Sequence, residues 1–173
     1  FFKNRPVAVV GGGNTAVISN NTNDAPITIK DAYVENAGGR SMIGGIVARV
    51  GHIAEFSGNS NTAKGTITAT GNIRKIYVGG VGGYVCDAVA TFNEAPCTVT
   101  DCTNYADVKL ECPDLAALDV GGLVGQMSYF NLENCHNYGE KVDVKTTAKS
   151  TAGSFNIAGF IGRSTGDGAT LRM

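Results

Sequence analysis

Apolar and polar positions alternate along this chain in short runs, broken every few residues by glycine or asparagine. Ile27-Thr28-Ile29-Lys30, Thr66-Ile67-Thr68-Ala69, Val108-Lys109-Leu110-Glu111 and Val142-Asp143-Val144-Lys145 each space their apolar side chains two apart. A period of two with one apolar face predicts a half-buried strand. Ahead of each run lies a six-residue motif: Ile18 to Asn23, Phe56 to Asn61, Val99 to Asn104 and Leu132 to Asn137. Its sixth residue is Asn in every copy, and its fourth is Asn21, Asn59, Cys102 or Cys135. A third pattern is an apolar core around two small residues: Val9-Val10-Gly11-Gly12, Ile43-Gly44-Gly45-Ile46, Val78-Gly79-Gly80-Val81, Val120-Gly121-Gly122-Leu123 and Ile157-Ala158-Gly159-Phe160. The first small residues fall at 11, 44, 79, 121 and 158, in steps of 33, 35, 42 and 37.

Three motifs in a fixed order are a repeat, and the whole chain, 1–173, reads as one repeat segment. Its units run about 6–40, 41–74, 75–118, 119–155 and 156–173. A unit of roughly three short strands cannot bury its apolar face alone, so successive units must stack. A propeller blade needs four strands and a Trp-Asp type signature, but this chain has no Trp and its unit length drifts. The expected fold is therefore all-β, a parallel β-solenoid of about four to five coils.

The glycines Gly44, Gly45, Gly79, Gly80, Gly121, Gly122 and Gly159 are then structural, placed where the wall bends or another backbone comes close. Asn23, Asn61, Asn104 and Asn137 are expected to stack as an amide ladder. Ile18, Phe56, Val99 and Leu132 form an interior row, and Cys102 and Cys135 stack inward on neighbouring coils.

The run Val120-Gly121-Gly122-Leu123-Val124-Gly125, followed by Asn134-Cys135-His136-Asn137-Tyr138-Gly139 and Val142, resembles the GLUG-type repeats of large bacterial surface proteins. The unit with Val78-Gly79-Gly80-Val81-Gly82 and Asp101-Cys102-Thr103-Asn104-Tyr105 matches nearly as well. The resemblance covers roughly residues 41–163. It implies an extracellular or cell-surface location and an adhesin-like architecture in which the repeats are stalks.

Composition narrows the classes further. Gly 24, Pro 4 and 17% charged residues suit many short strands and tight turns. A net charge of −1 without a Lys/Arg cluster argues against nucleic acid or an anionic membrane as partner. No apolar run has the length of a membrane span. The chain opens on Phe1-Phe2-Lys3 without an initiator Met and stops soon after a glycine motif. It is expected to be a piece of a longer protein.

Candidate chemistry is sparse. Gly79-Gly80-Val81-Gly82-Gly83 is followed by no helical pattern, which a dinucleotide-binding loop requires. No cofactor is expected. The five cysteines include no Cys-x-x-Cys pair, and His52 and His136 fall in different motifs, so no metal site is expected. Cys86 and Cys97 bracket the insertion Asp87–Pro96, where a disulfide would tether an exposed loop; an odd cysteine total leaves at least one thiol free. The outward row Thr28, Thr68, Lys109, Asp143 is not the threonine ladder an ice-binding face would need.

Tyr105 and Tyr138 align just after the repeated Asn. They fit a stacked corner pair better than a carbohydrate platform. The expected role is that of a non-enzymatic rigid stalk or filament block, with self-assembly or neighbouring domains as partners. Two alternatives stand behind it. One is a glycan- or protein-binding module acting through the loops Asp87–Pro96 and Asp114–Asp119; the other is a polysaccharide lyase or hydrolase.

Overall fold

A computed structural model describes residues 17–33, 40–51, 55–87, 97–128, 130–147, 153–165 and 170–172. The degenerate first glycine core at Val9–Gly12 and His52 lie outside the described residues, as does 88–96 of the insertion.

Every strand pairing is parallel, and the chain winds four times around one axis. The first coil comprises β1 (Val17–Ser19), β2 (Thr22–Asn23), β3 (Ile27–Tyr33), β4 (Ser41–Gly44) and β5 (Val47–Gly51). The second comprises β6 (Glu55–Ser57), β7 (Ser60–Asn61), β8 (Ile67–Asn72), β9 (Lys75–Gly79) and β10 (Gly82–Asp87). The third comprises β11 (Cys97–Thr100), β12 (Thr103–Asn104), β13 (Val108–Glu111), β14 (Ala117–Gly121) and β15 (Val124–Ser128). The fourth comprises β16 (Phe130–Glu133), β17 (His136–Asn137), β18 (Val142–Lys145), β19 (Phe155–Ala158) and β20 (Ile161–Thr165), and β21 (Thr170–Arg172) opens a fifth turn.

Strands of equal rank in each coil pair with one another, giving five parallel sheets, the first of five strands and the rest of four. No helix occurs among the described residues. The fold is the all-β parallel solenoid that the repeats predict.

Each coil has five strands where about three were expected, because two of the three motifs are corners rather than strands. The Asn motif bends between its first and second strands. At the bend Asn20, Asp101 and Asn134 take φ of 56°, 55° and 50°, and Gly58 stands in the same place at 60°. That left-handed conformation suits Gly, Asn and Asp, so the third motif position is restricted to them. The glycine core forms the second corner, between the fourth and fifth strands, without a left-handed residue.

The registers follow the motif alignment. Ile18 pairs with Phe56, Phe56 with Val99, and Val99 with Leu132. Thr28, Thr68, Lys109 and Asp143 share a second row. The core divides into two clusters. Phe56, Val85, Val99, Met127 and Leu132, from first and fifth strands, fill one lobe. Ile67, Ile76, Leu110, Leu118 and Val120, from third and fourth strands, fill the other. The inner coils are dry, whereas equivalents in the outer coils such as Ile18, Ile27, Val142 and Phe155 are half-buried.

Candidate functional site

The two lobes are separated by a waist built from the repeated Asn and Gly residues. Asn23 pairs in register with Asn61, Asn61 with Asn104, and Asn104 with Asn137. Their amides form a single ladder. Asn23 Nδ2 donates to Asn61 Oδ1 at 2.8 Å, Asn61 Nδ2 to Asn104 Oδ1 at 3.0 Å, and Asn104 Nδ2 to Asn137 Oδ1 at 2.7 Å. The last amide, Asn137 Nδ2, donates to the Gly159 carbonyl at 2.6 Å.

Each rung also holds its own corner. Asn104 Nδ2 donates to Ala106 O at 2.7 Å, and Ala106 N donates back to Asn104 Oδ1 at 3.2 Å. With two donors and two acceptors engaged, the buried Asn104 amide is saturated. Asparagine fits this place because a short amide can serve the corner and the next coil together.

Across the waist stand the second glycines of the core motif. A methyl group on Gly45 would lie 2.6 Å from Asn61 Cγ, and methyls on Gly80 and Gly122 would overlap Asn104 and Asn137. The glycine corner of each coil therefore presses inward on the amide of the next coil. The third glycines serve a different approach. Methyls at Gly83 and Gly125 would stand 2.7 and 2.6 Å from the backbone nitrogens of Ile43 and Val78. Fourth and fifth strands thus meet backbone to backbone. Gly159, in the outermost coil, faces open space.

Outside the glycines the outward faces of the fourth and fifth strands close on each other. Tyr77 and Tyr84 meet edge-on with ring centroids 5.8 Å apart. Arg40 lies over the Tyr77 ring at 5.5 Å. One coil on, Asp119 and Gln126 take the same two registers, at 1% and 6% exposure. Asp119 Oδ1 accepts from Asn156 Nδ2 at 2.6 Å, while Gln126 Oε1 is buried with no hydrogen-bond partner among the described residues.

This polar seam was missed by reading motifs singly. Its signal is a constant offset across the glycines, from Tyr77 to Tyr84, Asp119 to Gln126 and Asn156 to Arg163. The same burial corrects the place of Asp114–Asp119 as a contact loop: Leu115 is buried and Asp119 lies inside β14.

The fourth motif row runs Asn21, Asn59, Cys102, Cys135. Asn59 Oδ1 accepts from Asn21 Nδ2 at 3.0 Å. Cys102 N donates to Cys135 Sγ at 3.3 Å, and both thiols are buried. The hydrogen bond with Cys135, and then burial, hold the Cys102 thiol well above its ordinary pKa. All five cysteines stand as buried free thiols. Cys86 and Cys97, at the two ends of the insertion, lie in the same lobe.

Surface clusters among the described residues include an aromatic stack and an ion-pair group. Tyr105 and Tyr138 stack at 5.2 Å and 23°, with His136 stacked on Tyr138 at 5.6 Å. The tyrosines are 47% and 57% exposed. On the third sheet Glu111 pairs with Lys109 at 3.2 Å and Lys145 at 3.4 Å. Those hydrogen bonds, Lys109 first, keep the Glu111 carboxyl below its usual range. An exposed carboxylate so stabilised is a poor proton acceptor near neutral pH, so this cluster has the chemistry of a solvated ion-pair network.

An open depression of about 280 Å³ is lined by Ile18, Asn21, Asn23, Gly45, Ile46 and Val47. It is the exposed waist of the first coil. The equivalent residues of the second coil, including Phe56, Asn61, Gly80 and Val81, are fully buried under the first. One coil further in, the equivalent residues form the contact between coils. No group of three or more metal-ligating side chains occurs among the described residues. No described helix is long and apolar enough to cross a membrane.

The comparisons add no relative. No family model, curated protein or solved structure matches this chain.

Proposed function

We propose that this chain is a structural segment of an extracellular or cell-surface protein, a stackable block of a stalk or filament. The observation that carries this reading is the amide ladder from Asn23 to Asn137 facing the stepped glycines. Every coil offers the next the same ladder amide and the same core glycine, so coils add in register. Parallel strands are spaced about 4.8 Å apart, which puts the first and fourth backbone layers only about 14 Å apart. Reach therefore comes from the number of coils, and a stalk would combine this segment with further repeats or neighbouring domains. The resemblance of residues 41–163 to GLUG-type repeats of bacterial surface proteins agrees with this role, as does the structural explanation of the glycines without any cofactor.

Protease treatment of intact cells carrying the natural protein tests the reading. Release of fragments bearing this segment, identified by peptide mass spectrometry, is the expected result. A protein protected inside the cell would overturn it.

One observation favours a second reading. The exposed Tyr105, Tyr138 and His136 stack is a flat aromatic surface of the kind that glycan- or protein-binding modules present. Retention on a glycan array that is lost in Tyr138→Ala would support it over a purely structural role. An array that retains nothing would reject its glycan form.

A further inference from the structure

The last strand of the second coil contains one residue too many. Tyr84 pairs with Arg49 and Asp87 with Gly51, so β10 uses three steps where β5 uses two. Within this bulge Cys86 has φ of 57°, a left-handed conformation uncommon outside glycine. Bulges re-aim side chains. Val85 already faces the lobe, so regular alternation would send Cys86 outward. Instead both are wholly buried in the same apolar cluster. Cys97, the first residue of β11, enters that cluster too, and the neighbouring Cys97 thiol adds to burial in holding the Cys86 thiol up. The backbone is bent at one end of the insertion, and both flanking thiols lie in one lobe.

We propose that Cys86 and Cys97 are a disulfide-forming pair that closes the insertion at its base, leaving Cys102, Cys112 and Cys135 reduced. Cys112 lies in the opposite lobe. Cys102 and Cys135 sit at equivalent corner positions of adjacent coils, where Cys135 Sγ accepts from Cys102 N at 3.3 Å. Their thiols donate to Thr100 O and Glu133 O, each at 3.3 Å.

Oxidised glutathione is a sufficient oxidant. The thiolate of one cysteine attacks a glutathione sulfur, breaks the glutathione disulfide and expels one glutathione thiolate. The second cysteine then attacks the protein sulfur of the mixed disulfide and expels the other. Two protons leave the cysteines, and their two electrons reduce one glutathione disulfide to two thiols. Both cysteines are buried in the folded chain, so exchange proceeds while the chain folds and is slow afterwards.

Refolding the reduced, denatured chain in a glutathione redox buffer tests this directly, with alkylation to trap free thiols and peptide mapping by mass spectrometry. The expected product is one linked peptide joining Cys86 to Cys97, lighter by two hydrogens, with the other three cysteines alkylated. Its thermal midpoint should exceed that of the reduced protein by several degrees, as loop-closing disulfides do. Cys97→Ser should abolish the link and the reductant-sensitive shift, whereas Cys135→Ser should keep both. Alkylation of both Cys86 and Cys97 in soluble refolded protein, or a Cys102–Cys135 link instead, would overturn the proposal. The wild-type map decides even where a variant fails to fold. The assay makes no use of cellular location, so its outcome stands apart from the surface-protein reading.

Discussion

Asn61 Nδ2 lies 3.0 Å from Asn104 Oδ1 while Asn104 Nδ2 reaches Asn137, so one buried amide passes the hydrogen bond from the second coil to the fourth. The ladder is directional, and position along it sets the cost of breaking it. Asn104 is buried with four hydrogen bonds, while Asn23 is at the outer end of the ladder. Asn104→Ala should cost about 2–4 kcal/mol, since it strands polar groups of Asn61, Ala106 and Asn137 away from water. Asn23→Ala should cost under about 1 kcal/mol, as solvent can replace its partners. Urea denaturation of the two variants measures the difference, and equal costs would contradict the ladder.

The waist implies that the two lobes are energetically separate. Leu132→Ala and Leu110→Ala remove wholly buried side chains from different clusters. Each should cost about 2–5 kcal/mol. Because the sites share no packing partner, the double variant should equal the sum within about 0.5 kcal/mol. A larger departure would mean one continuous core.

Gln126 provides a test in the stabilising direction. Its Oε1 is buried without a hydrogen-bond partner among the described residues. Gln126→Met keeps the length and removes the orphan acceptor, so the variant should be neutral or more stable by up to about 1 kcal/mol. A loss above about 1 kcal/mol in the denaturation midpoint would show that the amide has a partner the described residues do not supply.

The buried thiols give a pH dependence. Burial, and then the neighbouring Cys97 thiol, push the Cys86 thiol well up. Burial also pushes Cys112 up, and the bond to Cys135 together with burial raises Cys102. Unfolded thiols ionise near about pH 8.5, while these folded ones hold their protons to higher pH. Their contribution is therefore complete below that pH and is lost as pH climbs from the unfolded toward the folded values. In reducing buffer the urea midpoint should fall between pH 7 and pH 10, and Cys112→Ala should flatten part of the fall. An identical slope in that variant would assign the effect to other groups.

The repeat, the parallel stacking, the Asn ladder and the row from Ile18 to Leu132 were legible in sequence because parallel pairing puts equivalent residues of successive units in register. The corners were less legible. Glycine in a strand signals close approach without saying to what, so the contacts of Gly80 with Asn104 and of Gly125 with Val78 needed coordinates. The seam from Tyr77 to Arg163 stayed hidden for the same reason: its two rows lie on strands with different partners, and their side chains change character from coil to coil. The bulge at Cys86 depends on a single left-handed residue that no motif announces. Function was the least legible, since residues that repeat in every unit record how units stack rather than what the stack meets.

The most direct measurement of the waist is a double-mutant cycle between Gly80 and Asn104. A methyl on Gly80 overlaps the Asn104 amide and also the Gly122 carbonyl, and the cycle cancels the carbonyl contribution. The glycine-amide contact predicts that Gly80→Ala costs at least about 1 kcal/mol less when residue 104 is already Ala. Gly159→Ala, facing open space, is the near-neutral control. Costs for Gly80→Ala and Asn104→Ala that add within about 0.5 kcal/mol would contradict the waist, and with it the account of how these coils stack.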